Sequence, residues 1–217
     1  MTREREEIRT LMESVVTMAD EVSAFLRSAT DAFLSGDSAG LERLYARDEA
    51  IDRMENATDA KCLRILALYQ PAADDLRTVF MALKINNDLE RIGDHALNIA
   101  ERGAEMAAPV PILQEEFARM SELSLAMLSD AITAFVARDT ALAKNILTRD
   151  DEADDLLRRV IDGVLTRHWE SRAERETAVA LVFAGKEFER IADLATNIAE
   201  DVVFMTEGTL IKNEGQM

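Results

Sequence analysis

Glu90-Arg91-Ile92-Gly93-Asp94 holds two carboxylates four residues apart, and 99 positions later Glu189-Arg190-Ile191-Ala192-Asp193 repeats them. The match continues at the same offset, with Asn98-Ile99-Ala100-Glu101 returning as Asn197-Ile198-Ala199-Glu200. On a helix, residues i and i+4 point the same way, so each pair sets two like charges side by side and slightly weakens a bare helix. A second set lies upstream: Asp48-Glu49-Ala50-Ile51-Asp52 recurs as Asp151-Glu152-Ala153-Asp154-Asp155, at an offset of 103. Each half of the chain therefore carries two carboxylate pairs. Oxygen-only ligands suit hard, roughly octahedral cations such as Mg²⁺, Mn²⁺ or Fe, with bridging carboxylates allowing more than one ion.

The elements that must position these acids are helices. Apolar residues recur at helical spacing from about Ile8 to Leu34, and Gly36-Asp37-Ser38 stops this helix and caps the next. A second helix is predicted from about Ala39 to Tyr69 and ends at Gln70-Pro71, because proline cannot continue a helix. A third runs to about Ala104, with Asp74 and Asp75 in its first turn, where the helix dipole favours negative charge. Gly103 to Pro111 is the most loop-like stretch and reads as a link, after which the plan repeats. Helices are predicted over about Ile112–Val136, Ala141–Thr166 and Arg172–Glu207, with Arg138-Asp139-Thr140 standing where Gly36-Asp37-Ser38 stood, at an offset of 102. The step from 102 to 103 implies a one-residue slip in the fifth helix. The expectation is an all-α protein of six long helices in two pseudo-repeated three-helix bundles. The first bundle spans 1–104, a linker 105–111, the second bundle 112–207 and a frayed C-terminus 208–217.

In a hairpin turning at Gln70-Pro71, Asp52 lies 18 residues before Gln70 and Glu90 lies 19 after Pro71, while Asp48 lies 22 before and Asp94 lies 23 after. A rise of about 1.5 Å per residue sets each pair at nearly one height, and neighbouring helices pack about 8–10 Å apart. Asp151 and Asp155 stand in the same relation to Glu189 and Asp193. Helix rotation is left open by this count. Met81, Ile85, Ile92, Ala96 and Ile99 form the main apolar stripe of the third helix, and its acids lie opposite, as a solvated face requires without any ligand. Val79, Leu83 and Leu97 share the carboxylate side, so that face is not simply wet.

Other chemistry is sparse. His95 follows Asp94 but points about 100° away, toward a neighbouring helix or solvent, and His168 falls in a turn. Neither follows a Glu by three residues, so the Glu-x-x-His pattern of di-iron bundles is missing. There is no nucleophile elbow, Walker loop or dinucleotide fingerprint. Cys62 reads as a core residue, and Trp169 and Tyr69 as packing residues that close the bundle. The formal net charge of −17 repels nucleic-acid phosphate and anionic lipid, which argues against direct nucleic-acid binding. No run approaches the roughly 18 uninterrupted apolar residues of a membrane span, and the charged N-terminus leads into no apolar signal segment, so a soluble cytoplasmic protein is expected.

The segments Asp88 to His95 (Asp-Leu-Glu-Arg-Ile-Gly-Asp-His) and Glu187 to Leu194 (Glu-Phe-Glu-Arg-Ile-Ala-Asp-Leu) resemble the doubled E(D)xxxD motif of the PhoU family. Gln70-Pro71 through Asp75-Leu76-Arg77 is similar to that family's Gln-Pro…Asp-Leu-Arg segment, and the resemblance covers essentially the whole chain. It implies a non-enzymatic accessory regulator of phosphate uptake. Such a protein would be cytoplasmic and homodimeric and would reach the membrane only through its partners. Those partners would be the phosphate ABC transporter ATPase and a sensor histidine kinase, with signalling repressed when phosphate is plentiful. It also implies metal binding by divalent or trivalent ions (Mg, Mn, Fe or Zn) through Glu90, Asp94, Glu189 and Asp193, with Asp48, Asp52, Asp151 and Asp155 as partners. Asp75 and Arg77 have no counterpart in the second half; helix capping and a local ion pair would account for them equally well. Two alternatives stand beside this reading: a metal-dependent enzyme or metal store using the same carboxylates, and a purely structural helical partner.

Overall fold

The computed structural model describes residues 2–106 and 112–208; positions 107–111 of the expected linker and 209–217 of the expected frayed tail lie outside them. The described residues form α1 (Arg3–Ser35), α2 (Leu41–Tyr69), α3 (Ala73–Ala104), α4 (Gln114–Ala137), α5 (Thr140–Leu147), α6 (Asp150–Thr166) and α7 (Arg172–Glu207), and they include no strand.

The repeated caps are visible. Gly36 ends α1 at φ 67°, a conformation glycine adopts freely, and the Asp37 carboxylate then accepts the N–H groups of Ala39 and Gly40. In the second half Arg138 takes the same left-handed turn at φ 53°, and Asp139 accepts from Ala141 and Leu142, both at 3.0 Å. Arg138 has a Cβ to strain there; its guanidinium is anchored on the Thr78 hydroxyl at 2.5 Å. Ser171 opens α7 with a capping box completed by Glu174.

The expected fifth helix is present as two segments, α5 and α6. At Thr148 and Arg149 the backbone N–H groups bond back three residues, to Asn145 and Ile146. The helix tightens there by one turn of 3₁₀ type rather than ending. The Arg149 guanidinium sits on Asp130 of α4 at 2.8 Å, just as Arg47, 102 positions earlier, reaches Glu21 and Ser28 of α1. Each second helix is thus held to the first helix of its own half by an equivalent arginine.

The halves join through α3 against α7 and α1 against α4. Lys84 meets Asp201 while Arg102 lies over Phe183, so α3 and α7 run antiparallel and the repeat is related by a pseudo-twofold across that seam. One apolar core crosses the boundary. Phe33 and Phe117 meet edge to face at 4.8 Å, Phe117 approaches Phe188 at 6.3 Å, and Thr30 shares a 3.1 Å hydrogen bond with Ser121. Cys62 is fully buried, and burial pushes its thiol up to about 12, as suits an inert core residue. Trp169 packs against the core and donates to the Val164 carbonyl at 2.9 Å. α4 is the one described helix long and apolar enough to cross a membrane by length and mean hydropathy, which a search for uninterrupted apolar runs passes over. Most of that window is buried inside the bundle, where α1, α5, α6 and α7 cover it.

Candidate metal centre

In the first half, α2 and α3 bring Asp48, Asp52, Glu90 and Asp94 into one groove. Burial pushes the Glu90 carboxyl up to about 7, with Asp94, Glu55, Asp52 and Asp48 adding repulsion. Burial likewise raises Asp48 to about 6, helped by Asp52, Asp94 and Glu101. Asp94 is raised by burial and by Asp52. Loss of water and like-charge crowding both favour the protonated form, and any cation would reverse both. Glu55 belongs to the groove too, raised by burial and by Asp59. The sequence reading missed it, although it follows Asp52 by three residues and so shares its face.

The second half repeats the groove with one change. Burial raises Asp193 to about 6, with Glu189 and Asp150 adding repulsion. Asp150 is raised by burial, then by Asp154, Asp151 and Glu189, while a hydrogen bond with Asp193 opposes. The α6 acids beside Glu189 and Asp193 are therefore Asp150 and Asp154, not the expected Asp151 and Asp155. Exposure by itself does not separate the two pairs, since Asp193 is itself exposed and Arg158 pairs with both Asp154 and Asp155; what separates them is that Asp150 and Asp154 are the α6 acids that repel Asp193. One residue is 100° of helix rotation, enough to turn a side chain from groove to solvent. Asp48 and Asp52 map onto Asp150 and Asp154 at an offset of 102, the offset of the caps. The one-residue slip came from matching letters, and carrying the cap offset into α6 would have found the right pair.

Glu189 is the most buried of the candidates, 9% exposed. Its Oε1 accepts from Lys186 at 2.5 Å, and its Oε2 is buried without a partner. Among the described residues, no three acidic, histidine or cysteine side chains are gathered closely enough to ligate one ion.

His95 turns away from the groove, as its position predicts, and meets Glu187 of α7 at 2.6 Å. Burial alone would push the Glu187 carboxyl up; the His95 ring, with Asn98 and Arg190, outweighs it and holds the carboxyl below the usual range. His168 lies exposed in the α6–α7 turn. Arg77 pairs with Asp74 and also donates to the Met205 carbonyl of α7 at 3.2 Å, so it ties the two halves together as well as forming a local ion pair.

An all-helical protein folded as two related three-helix halves, each with a carboxylate groove between its second and third helices, is the class this geometry defines. The chain belongs to the PhoU family: the PhoU domain model matches residues 15–103 and again 117–202. It is 35% identical over 211 residues to a phosphate-specific transport system accessory protein PhoU homolog of Aquifex aeolicus, covering 96% of this chain and 95% of that one. A protein of the same description from Deinococcus radiodurans is 32% identical, with 94% and 96% covered. Among solved structures, PhoU from Pseudomonas aeruginosa superposes with a TM-score of 0.88 at 29% identity, covering 94% of this chain and 99% of that one. The phosphate transport system regulatory protein PhoU from Streptococcus pneumoniae gives 0.89 at 27% identity, with 97% and 100% covered.

Proposed function

We propose that this chain is a non-enzymatic, metal-binding regulator of phosphate uptake. The observation that carries the reading is the doubled carboxylate groove, in which Asp48, Glu90 and Asp193 are pushed up to between about 6 and 7 by burial and by one another. The donor set fits a hard cation in kind: it is oxygen-only, crowded and partly dehydrated, and it includes the unpartnered Oε2 of Glu189. Asp48, Asp52, Glu90 and Asp94 would hold ions in one half, and Asp150, Asp154, Glu189 and Asp193 in the other, after side-chain adjustment. The chemistry such an ion supplies here is charge neutralisation; Mg, Mn, Fe and Zn are the candidates. The names of the relatives support an accessory role in phosphate transport. On this reading the protein works in the cytoplasm as a homodimer. It reaches the membrane through a transporter ATPase and represses a sensor histidine kinase when phosphate is plentiful.

Elemental analysis of chelator-free protein and melting with and without Mn²⁺ test the metal. Saturating ion at 100 times its dissociation constant stabilises by about 2.7 kcal/mol, and replacing Glu90 and Asp94 by Ala should abolish the first half's share. No bound metal and no ion-dependent melting in the unmodified chain would defeat the metal reading. A pull-down from phosphate-replete cells that recovers neither a transporter ATPase nor a histidine kinase would defeat the coupling role. Turnover of phosphate esters would favour an enzyme instead.

A further inference from the structure

A cleft of about 430 Å³ opens where the C-terminal end of α3 meets the first turns of α7, and its lining includes Arg102, Arg172 and Arg175 together with Val179 and Phe183. We propose that this cleft binds a doubly charged phosphate-type oxyanion, either free or as a phosphate monoester. The site stands apart from the carboxylate grooves and does not depend on the regulatory reading.

Three guanidinium groups and two carboxylates, Glu105 and Glu176, line the opening, a local excess of one positive charge on a chain whose net charge is −17. Guanidinium forks match tetrahedral oxyanions in geometry and charge. Arg102 is the anchor. Its guanidinium lies over the Phe183 ring at 5.4 Å, Nη1 bonds both Glu105 oxygens at 3.0 Å, and Nε is buried with no acceptor. The Arg102 side chain as a whole is 35% exposed, so its fork can meet a ligand oxygen once Glu105 is displaced, and a small rotation would offer the unpaired Nε as well. Arg175 is fixed through Nη1 on the carbonyls of Trp169 and Glu170, at 3.3 and 3.0 Å, and Arg172 pairs with Glu176. Glu105 and Glu176 are exposed, so their ion pairs are weak and screened and a dianion can displace them.

The pseudo-twofold supplies the control. At the equivalent end of the seam, Leu76, Phe80 and Lys84 stand where Arg175, Val179 and Phe183 stand here, and Asp201 replaces Arg102. That end is held by the Lys84–Asp201 pair, by Arg77 tied to Asp74 and the Met205 carbonyl, and by Arg138 on the Thr78 hydroxyl, with no arginine at the positions equivalent to Arg102, Arg172 and Arg175. The fold therefore closes without an arginine trio, and the trio is a property of one end only.

Calorimetric titration of the intact chain, in chelator and at constant ionic strength against chloride, tests the proposal with inorganic phosphate and with adenosine monophosphate in separate arms. Saturable binding is expected. Arg102→Gln should weaken it about tenfold, the cost of one charged bidentate contact, and Glu105→Gln should tighten it severalfold by freeing the fork; circular dichroism verifies that both variants fold. Equal affinity in the two arms identifies free phosphate. Tighter adenosine monophosphate binding, lost in Phe183→Ala, identifies a phosphate monoester. No saturable binding in either arm, binding that appears only when a divalent ion is added, or wild-type affinity in both variants would overturn the proposal.

Discussion

The two halves of this protein are alike where they fold and unlike where they meet. Both grooves share four acids from a second and a third helix, the first adding Glu55, and both second helices are held by an arginine at the same repeat position, Arg47 or Arg149. Along the α3–α7 seam the equivalent positions have diverged. Lys84 and Asp201 form an ion pair at one end, where Phe183 and Arg102 form a cation–π contact at the other. Asp88 is buried near Asp201 and raised to about 6, chiefly by burial, whereas its repeat partner Glu187 is held ionised by His95. Within a half, the acids recur as a set; across the seam, each position answers to a different neighbour. Divergence concentrates where a residue faces its non-identical copy.

Breaking the shared core should cost most. Phe117 is fully buried between Phe33 and Phe188, so Phe117→Ala should destabilise by about 3–5 kcal/mol and should unfold both halves in one denaturant transition. Two separate transitions would show that the halves fold independently. A glycine against α1 comes next. A Cβ on Gly103 would lie 2.5 Å from the Phe33 backbone, so Gly103→Ala should cost about 1–3 kcal/mol by forcing α1 and α3 apart. The repeat position carries Val202, so the close approach is particular to the first half.

The seam can be tested through His95. Replacing it by Leu, the residue at the repeat position 194, leaves buried Glu187 with Asn98 and Arg190 alone, each at 3.4 Å. A loss of about 1–3 kcal/mol in urea melts is expected, largely recovered in the double variant His95→Leu, Glu187→Leu because no unpaired charge then remains. Smaller again is the pH effect. The raised carboxyls Asp48, Glu90 and Asp193 make the folded chain bind more protons than the unfolded one. The window runs from their ordinary values near 4 up to about 6 or 7. Metal-free protein should therefore lose stability as pH rises through that window, with the full penalty above it. Replacing Glu90 by Gln should flatten the profile of melting temperature against pH, and a divalent ion should remove the fall. The smallest effect is of opposite sign. A Cβ on Gly93 would make ordinary 3.5 Å contacts with Ile51, and the second half already carries Ala192 there. Gly93→Ala should stabilise by about 0.5–1 kcal/mol.

Much of this was legible in the chain alone. The caps at Asp37 and Asp139, the stop at Gln70-Pro71 and the start at Arg172 fall where side-chain chemistry dictates, because each acts on its own few residues of backbone. The acids of α3 and α7 were legible for the same reason, since a motif repeated at a fixed offset within one helix keeps its face. Those of α6 were legible only through the cap offset. Asp150, Asp151, Asp154 and Asp155 are four aspartates within six residues, with Glu152 among them, and letter matching chose the pair that does not repel Asp193. The arginines that tie each second helix to its first, Arg47 and Arg149, stand at the cap offset of 102, and carrying that offset one residue further selects Asp150 and Asp154.

The amino-acid order by itself determined that this protein is helical, that its plan is doubled and that acids recur at one-turn spacing, because helix propensity, capping and the 3.6-residue period are local. Only tertiary packing decided which acids face each other, what His95 holds and where three arginines gather. Those outcomes depend on how each rod is turned against its neighbours, and a single residue changes that angle by 100°.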